Sequence, residues 1–267
     1  MKNLQQLMDL HDRVALVTGA AGKIGMAFAH TLAELGCGLA MLDTNEASLA
    51  AACAEISGQY GTPVKSFVCD LSNEAELRAI PSAVQMELGR LDILVNNAAF
   101  VGTSQLQGWA VPFAEQKADT WRAALEVNLT AVFVLAQAAE SLLRTGGHGN
   151  IINIGSIYGM VGPDMRIYEG TKFGNPAAYA ASKGGLLQLT RWLATALAPS
   201  IRVNAITPGG VWRHQSESFC ERYISRTPLA RMATEEDMKG AMAYLASDMS
   251  AYVTGQNIVV DGGWTAW

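Results

Sequence analysis

The stretch VALVTGAAGKIG, Val14–Gly25, joins a short apolar run to a glycine-rich turn. Its first five residues are mostly apolar and rich in β-branched side chains, which predicts a strand covered on both faces. The turn contains Gly19, Gly22 and Gly25, and a helical pattern starts near Ile24. Such a turn between a strand and a helix lets backbone N–H groups approach a pyrophosphate, which the helix N-terminus also favours. The stretch therefore predicts a dinucleotide site, although an ordinary tight turn would fit the same glycines.

An acidic residue, Asp43, follows the second predicted strand, 24 residues after Gly19. A carboxylate at that position can accept hydrogen bonds from the adenosine ribose hydroxyls, and its charge repels a 2′-phosphate. Lys23 argues in the other direction, because a cation in the glycine turn could bind a 2′-phosphate. NAD is therefore the predicted cofactor, with NADP as the alternative. A helix cap or turn role for Asp43 remains open.

Six further short apolar runs repeat the strand pattern along the chain. They are Leu39–Leu42, Val64–Cys69, Ile93–Val95, Ile151–Ile154, Val203–Ile206 and Asn257–Val260. Helical patterns alternate with them, from Ile24 to Gly36 and then over Glu46–Ser57, Glu74–Leu88, Asp119–Leu143, Ala178–Leu197 and Glu235–Leu245. This alternation predicts an α/β protein with a doubly wound, seven-stranded parallel sheet and helices on both faces. No linker or repeat interrupts it, so residues 1–267 are predicted to form a single domain.

The composition excludes several other classes of protein. Half of the 267 residues are hydrophobic and 16% are charged, which excludes a disordered, collagenous or coiled-coil chain. The net charge is −5 and no basic run occurs, so nucleic acid is not predicted as the main partner.

The spacing of the cysteines bears on metal binding, and the uncharged stretches bear on membrane association. The cysteines Cys37, Cys53, Cys69 and Cys220 form no CxxC pair and have no histidine at ligand spacing, so no metal site is predicted. Free thiols in a reducing cytoplasm are the expected state. The longest uncharged stretch, Ile93–Ala114, contains asparagines, glutamines and a proline, and the N-terminus has no apolar signal core. No membrane association is therefore predicted.

A tyrosine and a lysine in AAYAASKGG, Tyr179 and Lys183, stand at i and i+4 on a predicted helix. This spacing puts both side chains on one face. A phenol is a poor acid near pH 7, and a neighbouring ammonium favours the phenolate, so the pair suits proton transfer. The spacing alone is weak, because Tyr168 and Lys172 in YEGTK repeat it.

The Tyr179–Lys183 pair is one of several motifs by which the chain resembles the short-chain dehydrogenase/reductase family, in its branch of single-domain enzymes of about this length. The motifs run from Val14 to Gly263: TGAAGKIG, CDL at Cys69–Leu71, NNAA at Asn96–Ala99, Asn128 in EVNLTA, Ser156 in INIGSIYG, YAASK, RVNAITPGG and VDGG. The resemblance implies a Rossmann fold and an oxidoreductase that interconverts a secondary alcohol and a ketone with NAD or NADP.

The resemblance also implies roles for particular residues. Tyr179 resembles the general acid/base, Lys183 the partner that lowers its pKa, and Ser156 the residue that binds the substrate oxygen. Asn128 is similar to the residue that anchors a water of the proton relay through a local break in its helix. The implied cofactor contacts are Gly19, Gly22, Lys23, Ile24, Gly25, Asp43, Asp70, Leu71, Asn97, Ala98, Tyr179, Lys183, Pro208, Gly209 and Val211.

Two departures from the family pattern stand out. The glycine turn reads Gly-x-x-Gly-x-x-Gly where this branch usually has Gly-x-x-x-Gly-x-Gly. Ser156 and Tyr179 are 23 residues apart, more than is usual, whereas Ser156 and Tyr168 have the usual spacing of 12. Tyr179 is nevertheless the predicted acid/base, because its flanks have helical periodicity while glycines and a proline break the segment after Tyr168. Residues 163–175 then form an insertion beside the active site.

The insertion and a later loop, about 211–232, are predicted to choose the substrate. They carry Arg166, Tyr168, Trp212 and Arg213 as candidate substrate-binding residues. Two cationic loops near one cleft suggest an anionic or sugar-like small molecule, while solvated loops or an oligomer contact fit equally well. Similar family members act on sugar derivatives. The alternatives are a sugar epimerase or dehydratase with transient cofactor redox, and a non-catalytic dinucleotide-binding sensor.

The resemblance further implies a homotetramer or homodimer. In the family, helices equivalent to Asp119–Leu143 and Ala178–Leu197 pair across one interface, and the last strand and tail pair across another. Trp264 and Trp267 near the C-terminus would suit burial between subunits.

Overall fold

One parallel sheet organises the chain. The computed structural model describes residues 1–101, 106–171 and 174–267. Within these ranges seven strands occur in the spatial order β3-β2-β1-β4-β5-β6-β7, and every neighbouring pair is parallel. The strands are β1 Val14–Thr18, β2 Gly38–Asp43, β3 Val64–Val68, β4 Ile93–Asn96, β5 Gly149–Ile154, β6 Ile201–Pro208 and β7 Asn257–Val260. The predicted α/β fold with a doubly wound, seven-stranded sheet is confirmed.

Helices fill the connections between strands. They are α1 Leu4–Met8, α2 Lys23–Glu34, α3 Glu46–Tyr60, α4 Glu74–Leu88, α5 Ala118–Leu125, α6 Ala131–Thr145, α7 Ala177–Ala196, α8 Glu217–Ile224 and α9 Lys239–Ala246. The helix predicted over Asp119–Leu143 is α5 and α6, joined by a π-helical segment, Glu126–Thr130. The segment predicted as a substrate loop, 211–232, contains α8, which the sequence pattern did not indicate.

Alternate side chains of the strands enter two separate hydrophobic layers, because successive side chains of a strand point to opposite faces. On β1, Ala15 and Val17 pack with helices α2, α3 and α9. Val14 and Leu16 pack with α4, α6 and α7 on the other face. This double covering explains why the strands are nearly uniform apolar runs.

The strand order reverses between β1 and β4. The chain first builds outward from β1 to β3 and then returns to place β4 beside β1, in register from Ala15 with Ile93 to Val17 with Val95. In open α/β sheets, ligands bind in the crevice outside the carboxyl ends of the strands at such a reversal. The glycine turn follows β1 at this crevice.

One helical run, Ala118–Thr145, reaches the length and hydropathy of a membrane span among the described residues. It includes α6, whose Val134, Leu135, Ala139 and Leu143 are buried in the layer against the sheet. Its apolar character therefore matches that of a core helix.

Candidate active site

The glycine turn is held in a fixed shape by the end of β4. Asn97 donates from Nδ2 to the carbonyl oxygens of Thr18 at 2.9 Å and Gly19 at 3.1 Å. Thr18 Oγ1 accepts hydrogen bonds from the backbone N–H groups of Asn97 and Ala98, each at 3.0 Å. Gly19 has φ +62°, and a Cβ on Gly25 would overlap the carbonyl oxygen of Gly19. The turn can therefore keep this shape only with glycine at these positions.

The carboxylate of Asp43 bridges the end of β2 and the glycine turn. Its Oδ2 accepts from the backbone N–H of Ala21 at 3.1 Å, and its Oδ1 accepts from Thr44 at 2.8 Å and Asn45 at 3.3 Å. These bonds fix a negative charge at the mouth of the crevice. The turn role considered from the sequence and a ligand contact are compatible, because Asp43 also lines the cleft described next. The cap role falls to Asn45, which is the N-cap of α3.

A cleft of about 450 Å³ lies above the turn. Predicted cofactor residues line it: Gly19, Gly22, Lys23, Ile24, Gly25, Asp43, Asp70, Leu71, Asn97 and Ala98. Its apolar walls, its glycine turn at the start of α2 and its acidic edge fit a dinucleotide, whose base needs an apolar slot and whose phosphates need N–H donors.

Ser156, Tyr179 and Lys183 meet at the carboxyl ends of β4 to β6. Ser156 follows β5 and is 6% exposed, and its Oγ accepts from the backbone N–H of Tyr158 at 3.3 Å. Tyr179 and Lys183 lie one turn apart on α7. Lys183 Nζ is 6.0 Å from the centre of the Tyr179 ring and donates to the carbonyl of Ile154 at 2.7 Å.

Burial dominates the pKa values of these groups. It raises the pKa of the Tyr179 phenol, while a hydrogen bond with Ser156 acts to lower it. It lowers the pKa of Lys183 to about 8, because the ammonium loses water inside the fold. The amine therefore loses its proton at a lower pH than the phenol, and the two pKa values lie further apart than they do in water.

Asn128 lies in the π-helical segment and is 1% exposed. Its Oδ1 accepts from the backbone N–H of Phe100 at 2.6 Å, and its Nδ2 donates to Ser182 Oγ at 3.0 Å. Ser182 in turn donates to the carbonyl oxygen of Tyr179 at 2.8 Å. Asn128 thus connects the loop after β4 with the first turns of α7. The local helix break that the resemblance implied is present here as the π-helical segment.

A second cavity of about 520 Å³ opens in front of Ser156 and Tyr179. Ile24, Asn97, Ala99, Val101 and Arg213 line both this cavity and the first cleft, so the two form one groove. Of the predicted residues, Ser156, Tyr168, Tyr179, Lys183, Pro208, Gly209, Val211 and Arg213 line the second cavity. Sequence reasoning missed Trp109, Tyr158, Asn175, Gln215, Phe219, Tyr223 and Met232, which also line it.

The competing tyrosine, Tyr168, lines the same cavity as Tyr179 but belongs to the insertion and not to α7. It ends a 3-10 turn, Met165–Tyr168, and its hydroxyl shares a 2.7 Å hydrogen bond with that of Tyr158. Its predicted lysine partner, Lys172, lies outside the described residues.

Two predicted substrate residues do not line the cavity, which corrects the expectation of two cationic loops facing it. Arg166 binds the carboxylate of Asp164 at 2.8 and 2.9 Å, and its side chain is 77% exposed. Trp212 is 48% exposed and packs on the ring of His214, 4.0 Å between ring centres. Arg213 does line the cavity, but its charge is paired with Glu235.

The C-terminal tryptophans also differ from each other. Trp264 is 4% exposed and packs between Tyr158 and Tyr223 of its own chain, whereas Trp267 is 77% exposed. Burial of Trp264 therefore needs no second subunit, which corrects that expectation.

Comparison with curated proteins gives near full-length matches. A family model described as enoyl-(acyl carrier protein) reductase matches residues 19–265. The chain is 35% identical to nodulation protein G of Rhizobium sp. (strain N33), over 96% of this chain and 98% of that protein. It is 33% identical to the 3-oxoacyl-[acyl-carrier-protein] reductase FabG of Thermotoga maritima (96% and 99% covered) and to D-threitol dehydrogenase of Mycolicibacterium smegmatis (96% and 94% covered).

Solved structures give equally extensive matches. A short-chain type dehydrogenase/reductase from Mycobacterium marinum is 30% identical, with a TM-score of 0.87 and 100% of both chains covered. Gluconate 5-dehydrogenase from Burkholderia cenocepacia, in complex with NADP and tartrate, is 31% identical, with a TM-score of 0.87 and 99% and 100% covered. An NAD+-bound xylitol dehydrogenase is 32% identical, with a TM-score of 0.84 and 95% and 99% covered. The chain therefore belongs to the short-chain dehydrogenase/reductase family of NAD(P)-dependent oxidoreductases, which act on CH–OH groups.

Proposed function

We propose that the protein interconverts a secondary alcohol and a ketone, with Tyr179 as the group that exchanges the proton. The observation that carries this proposal is the convergence of Ser156, Tyr179 and Lys183 on a cavity continuous with the dinucleotide cleft. A bound nicotinamide supplies the chemistry of accepting or donating the hydride at the substrate carbon. The side chains of this protein then have to bind the substrate oxygen and handle its proton.

In the oxidation direction, the Tyr179 phenolate takes the hydroxyl proton while the C–H bond breaks and the carbonyl forms. In reduction, the Tyr179 hydroxyl returns that proton to the oxygen. Ser156 is hydrogen-bonded with Tyr179, so it can donate to the same substrate oxygen as charge develops on it. Lys183 keeps positive charge beside the phenol while it is protonated, and this favours the phenolate.

For Asn128 we propose a positioning role. Its amide holds the backbone of Phe100 and the hydroxyl of Ser182, which itself donates to the backbone of Tyr179. These contacts fix the start of α7 relative to the cavity. Whether a water of a proton relay also binds Asn128 stays a prediction.

We propose NAD as the preferred cofactor. The supporting observation is the fixed carboxylate of Asp43 at the edge of the cleft, which would repel a 2′-phosphate. Lys23 and Arg213 line the same cleft, and Arg213 is already paired with Glu235. The related structures are complexes with NADP in one case and NAD+ in another, so the choice rests on the residues of this chain.

A polyol or sugar derivative is the proposed substrate class. D-threitol dehydrogenase, xylitol dehydrogenase and gluconate 5-dehydrogenase are among the relatives at 31–33% identity. The test is a screen of polyols, sugars, sugar acids, nucleotide sugars and simple secondary alcohols with NAD+, read as absorbance at 340 nm. A net rise with at least one alcohol supports the proposal. Conversion of a sugar without net absorbance change indicates an epimerase or dehydratase, and cofactor binding with no conversion indicates a sensor.

We also propose that residues 1–267 form one domain that assembles into a homotetramer or homodimer. Exposed aromatic side chains on α5, α6 and α7 support assembly: Trp121 is 39% exposed, Phe133 43% and Trp192 59%. Large aromatic side chains on a surface are enriched where another subunit covers them.

A further inference from the structure

One wall of the substrate cavity is a chain of three hydrogen-bonded side chains. The hydroxyls of Tyr158 and Tyr168 lie 2.7 Å apart, and the side chain of Asn175 is hydrogen-bonded to Tyr168. Tyr158 comes two residues after Ser156, while Tyr168 and Asn175 belong to the insertion. All three line the cavity. The insertion therefore adds polar groups directly to the space in front of Ser156 and Tyr179.

Two buried polar atoms at this cavity have no hydrogen-bond partner in the described part of the chain. They are Oδ1 of Asn175 and Nε1 of Trp109. The residues are 9% and 2% exposed, and both line the cavity. Because buried polar groups in folded proteins are nearly always paired, one unpaired acceptor and one unpaired donor on residues that line a single cavity leave two hydrogen-bonding positions for a ligand that enters it.

The two unpaired atoms belong to neighbouring parts of the fold. A Cβ on Gly174 would lie 3.5 Å from Cβ of Ala110, so the end of the insertion packs against the residue that follows Trp109. The wall is also close to the proposed acid/base, since Tyr179 packs against the hydrophobic cluster that contains Trp109. A substrate oxygen bound at Tyr179 would therefore place its neighbouring substituents near this wall.

The charges around the cavity favour a neutral substituent. Among the described lining residues, Lys183 and Arg213 carry charge; Lys183 donates to Ile154 and Arg213 is paired with Glu235. A hydroxyl group can donate to the Asn175 oxygen and accept from the Trp109 N–H, while an alkyl group can do neither.

We propose that Asn175 and Trp109, on the wall completed by Tyr158 and Tyr168, form a subsite for a hydroxyl group beside the reacting carbon. The subsite selects vicinal diols, which include polyols and cyclic sugars, over mono-alcohols of the same skeleton. This inference rests on the proposed alcohol oxidation and names its substrate class. A site that pairs with a substrate hydroxyl strongly rejects an analogue without that hydroxyl, because the buried polar groups of the site are then left unpaired.

The experiment compares trans-cyclohexane-1,2-diol with cyclohexanol as a matched pair, with NAD+ and detection at 340 nm. The measured quantity is the ratio of the two kcat/KM values. For the wild type we expect a ratio of at least about ten in favour of the diol. Asn175→Leu, which keeps the approximate shape, and Trp109→Phe, which keeps an aromatic ring, each remove the polar atom and should lower that ratio at least about fivefold.

Met232→Leu is the matched control, because it alters the apolar lining of the same cavity without removing a polar hydrogen-bonding group. It should change both kcat/KM values by the same factor and keep the ratio. Titration of each variant with NADH shows whether it is folded. A variant that binds no NADH is replaced by Tyr168→Phe, which removes one hydroxyl of the same wall and should also lower the ratio.

Equal kcat/KM values for the two alcohols in the wild type would overturn the inference and leave the proposed function intact. An unchanged ratio in the folded polar variants would do the same. No turnover of the diol by the wild type also overturns the inference, and the broader screen above then decides whether the proposed function falls with it.

Discussion

At Lys183 a charged group is buried without a carboxylate partner among the described residues. Its side chain is 2% exposed and donates to the carbonyl of Ile154. Burial lowers its pKa from 10.5 to about 8, so the folded protein releases this proton more readily than the unfolded chain. The unfolded state then binds more protons between pH 8 and 10.5, and this group contributes stability that grows as the pH rises through that window.

The variant Lys183→Met removes this dependence. The free energy of unfolding of the variant minus that of the wild type should fall by up to about 3 kcal/mol between pH 7 and pH 10.5. Urea unfolding at a series of pH values measures the difference, and the shared background titration of other groups cancels. A constant difference across the series would mean that Lys183 does not titrate in this range.

Asp43 carries the predicted cofactor choice. Its fixed carboxylate should repel a 2′-phosphate, so Asp43→Ser is expected to lower the ratio of kcat/KM for NAD over NADP by about tenfold or more. Asp70→Ser, on the same cleft, is the control and should affect both cofactors alike. A wild-type enzyme that prefers NADP would contradict the prediction before any variant is made.

At the scale of elements, the glycine turn between β1 and α2 leaves no room for a side chain at Gly25. A methyl group at Gly25 would overlap the Gly19 carbonyl, whereas a Cβ on Gly58 of α3 meets nothing within 4 Å. We expect Gly25→Ala to raise the Kd for NADH at least about tenfold. Gly58→Ala should keep the Kd and raise the stability by up to about 1 kcal/mol. Fluorescence titration measures the Kd, and equal values for both variants would show that the turn tolerates the methyl group.

Elements with a strong local pattern could be predicted from the sequence, and those made by distant contacts could not. Each strand from β1 to β7 begins and ends within two residues of its apolar run. Helix α8 has only eight residues, so its apolar stripe of Phe219, Cys220, Tyr223 and Ile224 is too short to predict a helix without the packing against the insertion.

The position of Arg166 outside the cavity could not be predicted for a similar reason. The carboxylate of Asp164 binds both Arg166 and Arg226, which are far apart in sequence. Local spacing shows that the insertion carries a cation near the active site. It does not show that the carboxylate of Asp164 binds this cation, or that the distant Arg226 shares the same carboxylate. The unpaired atoms of Asn175 and Trp109 were likewise invisible, because pairing is a property of the folded chain.

At the scale of the whole molecule, the exposed aromatic side chains of α5, α6 and α7 predict self-association. Sedimentation velocity should give a species of two or four times the chain mass of 28.4 kDa. Trp192→Glu replaces the most exposed of these aromatic side chains with a charge and should shift the protein to a smaller species. Trp212→Glu changes an exposed tryptophan on another surface and should keep the assembly. A wild type that sediments at the chain mass would contradict the proposal.

The role of Tyr179 in alcohol oxidation is tested most directly by the turnover number of paired tyrosine variants, measured at 340 nm with saturating NAD+ and an alcohol from the screen. Tyr179→Phe should lose at least about 100-fold in kcat and still bind NADH, because a phenyl ring cannot exchange the proton. Tyr168→Phe should keep kcat within about tenfold of the wild type, because it removes a contact and not the acid/base. Full turnover in Tyr179→Phe, or loss of turnover in Tyr168→Phe alone with NADH binding intact, would contradict the mechanism.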